Sequence, residues 1–212
     1  SAIMGSMLAL EDILDALDAS REHTLVALEA LPDEGLVAPG VIGRWSVADL
    51  LSILTAWDAE VVTGLLRLEQ GKPPEKLLAA LENPALYNAA RYQDAQGRDL
   101  DVVFEDFQGA RLHLEEWLSD LSERALTDPR RYKSLGGVPL AKLIARATYE
   151  QEARYLPFLT IFADRWEAAE EEAASMITPA DIDVIGTIAT SDSPSANGDR
   201  PEETEDDEPY DA

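Results

Sequence analysis

Apolar residues recur at intervals of three and four over four long stretches of the chain, the spacing of helices that each bury one face. The first stretch runs from Leu8 to Leu31, with Leu10, Ile13, Leu14, Leu17, Leu25, Leu28 and Leu31 on one stripe. The second opens at Trp45–Asp58, WSVADLLSILTAWD. Ser46 is a good N-cap there, and Asp49 stands where a capping-box carboxylate belongs. Leu50, Ile53, Leu54, Trp57 and Val61 carry its buried face toward Gln70, and Gly71-Lys72-Pro73-Pro74 ends it. The third covers Leu100 to Leu121, striped by Val103, Phe104, Phe107, Ala110, Leu114, Trp117, Leu118 and Leu121. The fourth is predicted as one helix from Leu140 to Ala169, striped by Leu140, Ile144, Ala147, Thr148, Gln151, Tyr155, Phe158 and Phe162. Pro157 lies inside it and should bend it or loosen its ladder. Glu75–Leu81 and Pro84–Tyr92 read as short helical pieces between the second and third stretches. No segment alternates like a strand. The pattern predicts an all-α four-helix bundle with an additional short helical connection between its second and third long helices.

Polar residues that interrupt this pattern are the candidates for chemistry. Asp49, Ile53 and Trp57 form one i, i+4 row, where a bundle aims side chains at a central pocket. Gln151 is an amide at the centre of an apolar stripe and needs hydrogen-bond partners, for which Thr148 and Tyr155 are the nearest groups. His23 and His113 fall off their stripes and read as solvated. Arg130-Arg131-Tyr132-Lys133 is the chain's one basic cluster and reads as a loop neutralising nearby acids. Trp45 reads as a staple at a helix start.

Composition narrows the functional classes. The 212 residues are 46% hydrophobic, enough for a packed core, and include no cysteine, which removes disulfides, thiolate metal sites and cysteine nucleophiles. A net charge of −25 and a pI of about 4.2 argue against nucleic acid and anionic lipid as partners. No apolar run reaches the roughly 20 residues of a membrane span. Residues 181–212 hold 11 acids and one base. The expected organisation is an expression scar over 1–7, a bundle over 8–170 and an acidic, largely disordered tail over 171–212. A cytoplasmic location, as a monomer or homodimer, is the expectation.

The stretch Pro39–Trp57, PGVIGRWSVADLLSILTAW, resembles the second-helix signature of the DinB/YfiT-like bundles. Gly71-Lys72-Pro73-Pro74-Glu75, Leu86-Tyr87-Asn88, Leu126-Thr127-Asp128-Pro129 and Thr148-Tyr149-Glu150 resemble the ClbS/DfsB-like subgroup, the family of the colibactin self-resistance protein. The resemblance covers residues 8–165. It implies a four-helix bundle with a central pocket. In many DinB-like proteins that pocket holds a divalent metal on three histidines, one from the second helix and two from an H-x-x-x-H pair on the last. It also implies, for the subgroup, the opening of an electrophilic cyclopropane in a genotoxic metabolite. The positions that match the three histidines are Ile53, Gln151 and Tyr155. Isoleucine cannot coordinate, and an amide with a phenol is a poor site for zinc or nickel, so neither metal nor cofactor is expected.

Without a metal, water can still be activated by a carboxylate whose pKa is raised among apolar groups. Asp49, Glu60 and Glu150 are the candidate carboxylates, with Tyr149 or Tyr155 as proton donor. The catalytic candidates are therefore Asp49, Glu150 and Tyr149, and the ligand pocket is expected among Ile53, Trp57, Glu60, Gln151 and Tyr155. Each has a structural alternative: Asp49 as cap partner, Glu60 and Glu150 as solvated helix edges, Trp57 as core. Three functions stay open. One is a binder or metal-independent hydrolase acting on a small electrophilic metabolite. Another is a degenerate relative that binds without turnover. The third is an interaction protein whose acidic tail engages a basic partner.

Overall fold

A computed structural model describes residues 8–176, and among them there are nine α-helices and no strand. The expectations for residues 1–7 and for the acidic tail beyond Met176 lie outside the described residues. The chain divides after Glu170 into two units. The helices are α1 (Leu8–Leu28), α2 (Asp33–Val37), α3 (Val47–Glu69), α4 (Glu75–Glu82), α5 (Pro84–Ala95), α6 (Leu100–Ser119), α7 (Glu123–Thr127), α8 (Leu140–Ala147) and α9 (Tyr149–Met176), with a 3-10 turn at Lys133–Leu135. None of the described helices is long and apolar enough to cross a membrane.

α3 is the central element. Its capping box forms as the sequence predicts: Ser46 Oγ accepts from the Asp49 N–H at 3.1 Å, and Asp49 Oδ2 accepts from the Ser46 N–H at 2.8 Å. Leu50, Leu51, Ile53, Trp57 and Val61 have no exposure at all. Burying each such aliphatic side chain contributes about 1.5–3 kcal/mol. Gly64 sits where α4 presses on α3, and a Cβ there would stand 2.9 Å from Leu77.

The buried apolar side chains form two clusters, and their membership gives the helix directions. α1 passes from the first cluster (Ile13, Leu17) to the second (Leu28). α3 starts in the second (Val47, Leu50, Leu51) and ends in the first (Val61, Leu65, Leu68). α6 also runs from the second (Val103, Phe107) to the first (Leu114, Leu118), whereas α8 and α9 return from the first to the second. The order is therefore up, down, down, up. α3 and α6 pack closely and run in the same direction, so their link must travel back along the bundle, and α4 and α5 are that crossover.

The predicted single last helix is corrected. Thr148 interrupts it, with φ −119° and ψ −102°. Its hydroxyl donates to the Ile144 carbonyl at 2.8 Å, and its own carbonyl accepts from the N–H groups of Gln151 and Glu152 at 2.9 and 3.0 Å, starting α9 afresh. Past the restart, Gln151 and Phe162 are buried as the stripe predicts, but one position differs. Phe158, expected inside, is 46% exposed, and Leu159 is buried instead. α9 continues past Ala169, and Pro157 lies within it on the exposed side.

Candidate functional site

Between the two apolar clusters lies a layer of charge. Each long helix supplies one member: Arg21 from α1, Asp58 from α3, Arg111 from α6 and Glu152 from α9, all 8% exposed or less. Arg21 reaches Asp58 at 3.0 Å and Glu152 at 3.1 Å. Arg111 reaches Asp58 at 3.0 Å and Glu152 at 2.8 Å. Each guanidinium bridges both carboxylates, closing a ring. The spare donors are used as well: Arg111 Nη1 donates to the Leu17 carbonyl at 2.8 Å, Arg21 Nη1 to the Phe107 carbonyl, and Ser20 Oγ to Glu152 at 3.1 Å. The Arg21 guanidinium also lies 3.5 Å from the Phe107 ring centre.

Glu152 and Arg111 are held in their charged forms. Burial pushes Glu152 up, but Arg21 and Arg111 outweigh it and hold the carboxyl below its ordinary range. Burial pulls Arg111 down, and Asp58 with Glu152 more than restores it, so its pKa is raised. Arg21 is lowered, by burial first and by Arg111 second. A carboxylate held ionised and saturated by two guanidinium groups is a poor base. The quartet braces four helices; it does not suit proton transfer.

Sequence reasoning missed all four residues. The signal was there. Arg21 lies four residues after Leu17, Asp58 four after Leu54, Arg111 four after Phe107, and Glu152 four after Thr148. Each of the four thus continues its helix's stripe, and their charges sum to zero.

The expected site residues fall into several surroundings. Asp49 is committed to the cap, where its Oδ2 also accepts from Ser46 Oγ at 2.8 Å and its Oδ1 accepts from Gln96 Nε2 at 2.9 Å. Glu150 is exposed. Tyr149 is half-buried, and burial, then Glu150 and Asp12, raise its phenol pKa. Ile53 and Trp57 are fully buried. Trp57 Nε1 donates to Asn88 Oδ1 at 2.8 Å, and Asn88 Nδ2 donates to the Tyr155 hydroxyl at 2.6 Å, which ties α3, α5 and α9 through one buried amide. Burial is the main reason that the Tyr155 pKa is raised. Gln151 is 2% exposed, and its Oε1 has no partner. Of the two groups expected to serve it, Thr148 donates its hydroxyl to Ile144 instead, and Tyr155, whose hydroxyl accepts from Asn88, makes no bond to it. His23 and His113 are exposed, as their spacing predicts. Among the described residues, Arg130, Arg131 and Lys133 enter no ion pair, so the basic run does not neutralise acids by contact.

Glu60 faces a different space. A cavity of about 320 Å³ between α3, α4 and α5 is lined by Glu60, Lys76, Ala79, Ala80, Asn83, Leu86, Tyr87, Ala90 and Arg91. Tyr87 forms its inner wall. Its ring tilts against Trp57 with centres 4.6 Å apart, and its hydroxyl donates to the Ala56 carbonyl at 2.9 Å. Burial, then the charge of Glu60, raises the Tyr87 pKa, so the phenol stays protonated. Arg91 stands 5.3 Å from the same ring centre. An acid, two cations and an aromatic wall thus surround an alanine-rich floor. Among the site residues expected from sequence, only Glu60 lines this space.

Comparison with protein families matches the DinB superfamily over residues 16–155. The chain belongs to the DinB superfamily. A crystal structure of an uncharacterised protein from Escherichia coli UTI89 superposes with a TM-score of 0.58 at 19% identity, covering 74% of this chain and 94% of that one, which supports the fold. Comparison with curated proteins finds no match. For this DinB-superfamily chain, the residues do not fit the metal that the resemblance implies. Ile53 offers no donor, Tyr155 is bound to Asn88, and one amide oxygen remains. Among the described residues, no group of three or more His, Cys, Asp or Glu could hold a metal ion.

Proposed function

We propose that this chain is a ClbS/DfsB-like member of the DinB superfamily that binds a small electrophilic metabolite in the cavity between α3, α4 and α5 and adds water to it without a metal. The observation that supports this reading is the surroundings of Leu86-Tyr87-Asn88, a segment that carries the subgroup resemblance. Leu86 and Tyr87 line the cavity beside Glu60, and Asn88 fixes Trp57 behind it. The volume of about 320 Å³ is at the small end of ligand pockets, which run from about 300 to 1,000 Å³.

In this mechanism Glu60 takes a proton from water as the water oxygen bonds to the electrophilic carbon. The strained carbon–carbon bond breaks, its electron pair passes to the departing carbon, and the Lys76 ammonium gives that carbon a proton. Solvent then carries the proton on Glu60 back to Lys76. Asp49, Glu150 and Tyr149 are weaker candidates for this step, because Asp49 is held in its cap and the other two do not line the cavity.

A second reading is binding without turnover. It is favoured by the complete burial of Ile53 and Trp57, which leaves neither side chain open to a ligand. One experiment separates the two. An activated cyclopropane diester is incubated with the protein, and the mass gain of one water is followed. The hydrolytic reading predicts ring opening that Glu60→Gln abolishes while Tyr87 still reports binding by its shift in NMR spectra. Equal turnover in Glu60→Gln would contradict the role of Glu60. Binding with no turnover in either protein would establish the second reading.

A further inference from the structure

We infer that a second cavity, at the C-terminal ends of α3 and α6, binds a small organic ammonium ion. It measures about 280 Å³ and is lined by Leu65, Glu69, His113, Glu116, Trp117, Asp120, Leu121 and Tyr132. It shares no residue with the Glu60 cavity.

Four features select a cation with an apolar body. The walls offer two aromatic side chains, Trp117 and Tyr132, whose faces attract positive charge through their quadrupoles. Tyr132 already behaves this way, for the Arg131 guanidinium stands 5.2 Å from its ring centre. Leu65 and Leu121 supply aliphatic surface for the methyl or methylene groups of such an ion. Glu69, Glu116 and Asp120 add carboxylates at the edge, of which, among the described residues, only Glu116 meets a partner, the His113 Nδ1 at 3.5 Å.

The helix termini point the same way. α3 ends at Glu69 and α6 at Ser119, so the negative ends of two helices of 23 and 20 residues meet at this cavity. Lys or Arg in the last turn can add a favourable charge at such an end. α6 has no basic residue there. α3 has Arg67, but its Nε donates to the Pro73 carbonyl at 2.7 Å and its Nη2 faces Glu75 at 3.5 Å. Among the described residues, no Lys or Arg lines this cavity. A divalent metal is the wrong occupant, because no group of three or more His, Cys, Asp or Glu among the described residues could hold one. A quaternary or primary alkylammonium fits: it needs aromatic faces and diffuse negative charge more than a tight oxygen shell.

The test uses the full chain and choline as probe, at constant ionic strength because edge carboxylates are screened by salt. Its control is the uncharged alcohol in which tert-butyl replaces trimethylammonium. Choline is expected to shift the Trp117 indole N–H signal saturably, and the alcohol to bind about tenfold more weakly or less, as a desolvated cation–π contact implies. Glu116→Gln combined with Asp120→Asn should weaken choline and leave the alcohol unchanged. Trp117→Leu should abolish choline binding measured by calorimetry, and the carboxamide pair keeps the test decisive if that variant fails to fold. Equal affinity for choline and the alcohol overturns the inference. So does choline binding that the carboxamide pair leaves untouched, or that magnesium at matched ionic strength displaces.

Discussion

Gln151 and Glu152 are neighbours on α9, both are almost completely buried, and they live in opposite circumstances. Glu152 is met by two guanidinium groups and a hydroxyl. Gln151 has an oxygen that nothing meets. The difference is one of closure. The charged layer draws one residue from each long helix and saturates every carboxylate, whereas in the amide layer Asn88 meets Trp57 and Tyr155 but Gln151 stops one partner short. A buried polar network is rigid when complete and costly when partial. The complete layer belongs to the fold, and the incomplete one leaves the Gln151 oxygen unpaired.

The strongest way to break this comparison is to remove one member of the charged layer. Arg111→Leu leaves two buried carboxylates facing one guanidinium and should cost about 3–5 kcal/mol in urea unfolding. Replacing all four charges by leucine or methionine should cost less than that single change, because no charge is then stranded. A quadruple variant less stable than Arg111→Leu would show that the layer contributes net stability beyond its own pairing.

Acid sharpens the same point. Glu152 is held below its ordinary value of 4.5, so as pH falls the unfolded chain takes up its proton before the folded one. The stabilisation from its pairs is complete above about pH 4.5 and is lost as pH drops through the lower, folded value. Glu115 runs the other way, because burial first and Asp18 second raise its pKa. The informative quantity is therefore the difference between wild type and Glu152→Gln, which should shrink steadily below pH 4.5 in thermal melts. A difference that stays constant with pH would place the stabilisation elsewhere.

A smaller effect tests the amide layer. The triple variant Ile53→His, Gln151→His and Tyr155→His should gain melting temperature on adding zinc or nickel, while the parent should not. Metal at about 100 times its Kd stabilises the native state by about 2.7 kcal/mol. If the triple variant folds and shows no metal-dependent shift, the three positions do not converge.

Much of this was legible in the sequence and some was not, for reasons that particular residues make clear. Ser46 and Asp49 announced the start of α3 because a capping box is a local device. The long helices were legible because one buried face imposes one period. The break at Thr148 was not, since its apolar neighbours stay in phase up to it and only the hydroxyl's turn back to Ile144 reveals the restart. Arg21, Asp58, Arg111 and Glu152 escaped because each looks like a solvated charge when its helix is read alone. Their meaning is a sum over four helices. Gln151 stood out early, but its unpaired oxygen depends on the Thr148 hydroxyl turning back to Ile144 and on a Tyr155 hydroxyl that meets Asn88 and not the amide. The Glu60 cavity depends on how α4 and α5 cross back, which no periodicity encodes.

The central claim is that the charged layer holds the fold and the amide layer beside it does not. Urea unfolding of Glu152→Gln and Gln151→Leu, measured side by side at neutral pH, tests it most directly. Glu152→Gln should lose on the order of 3 kcal/mol, because it strands a buried charge. Gln151→Leu should fall within about 1 kcal/mol of wild type or exceed it, because it deletes an unpaired buried acceptor. Equal losses at the two positions, or a larger loss at Gln151, would contradict the account.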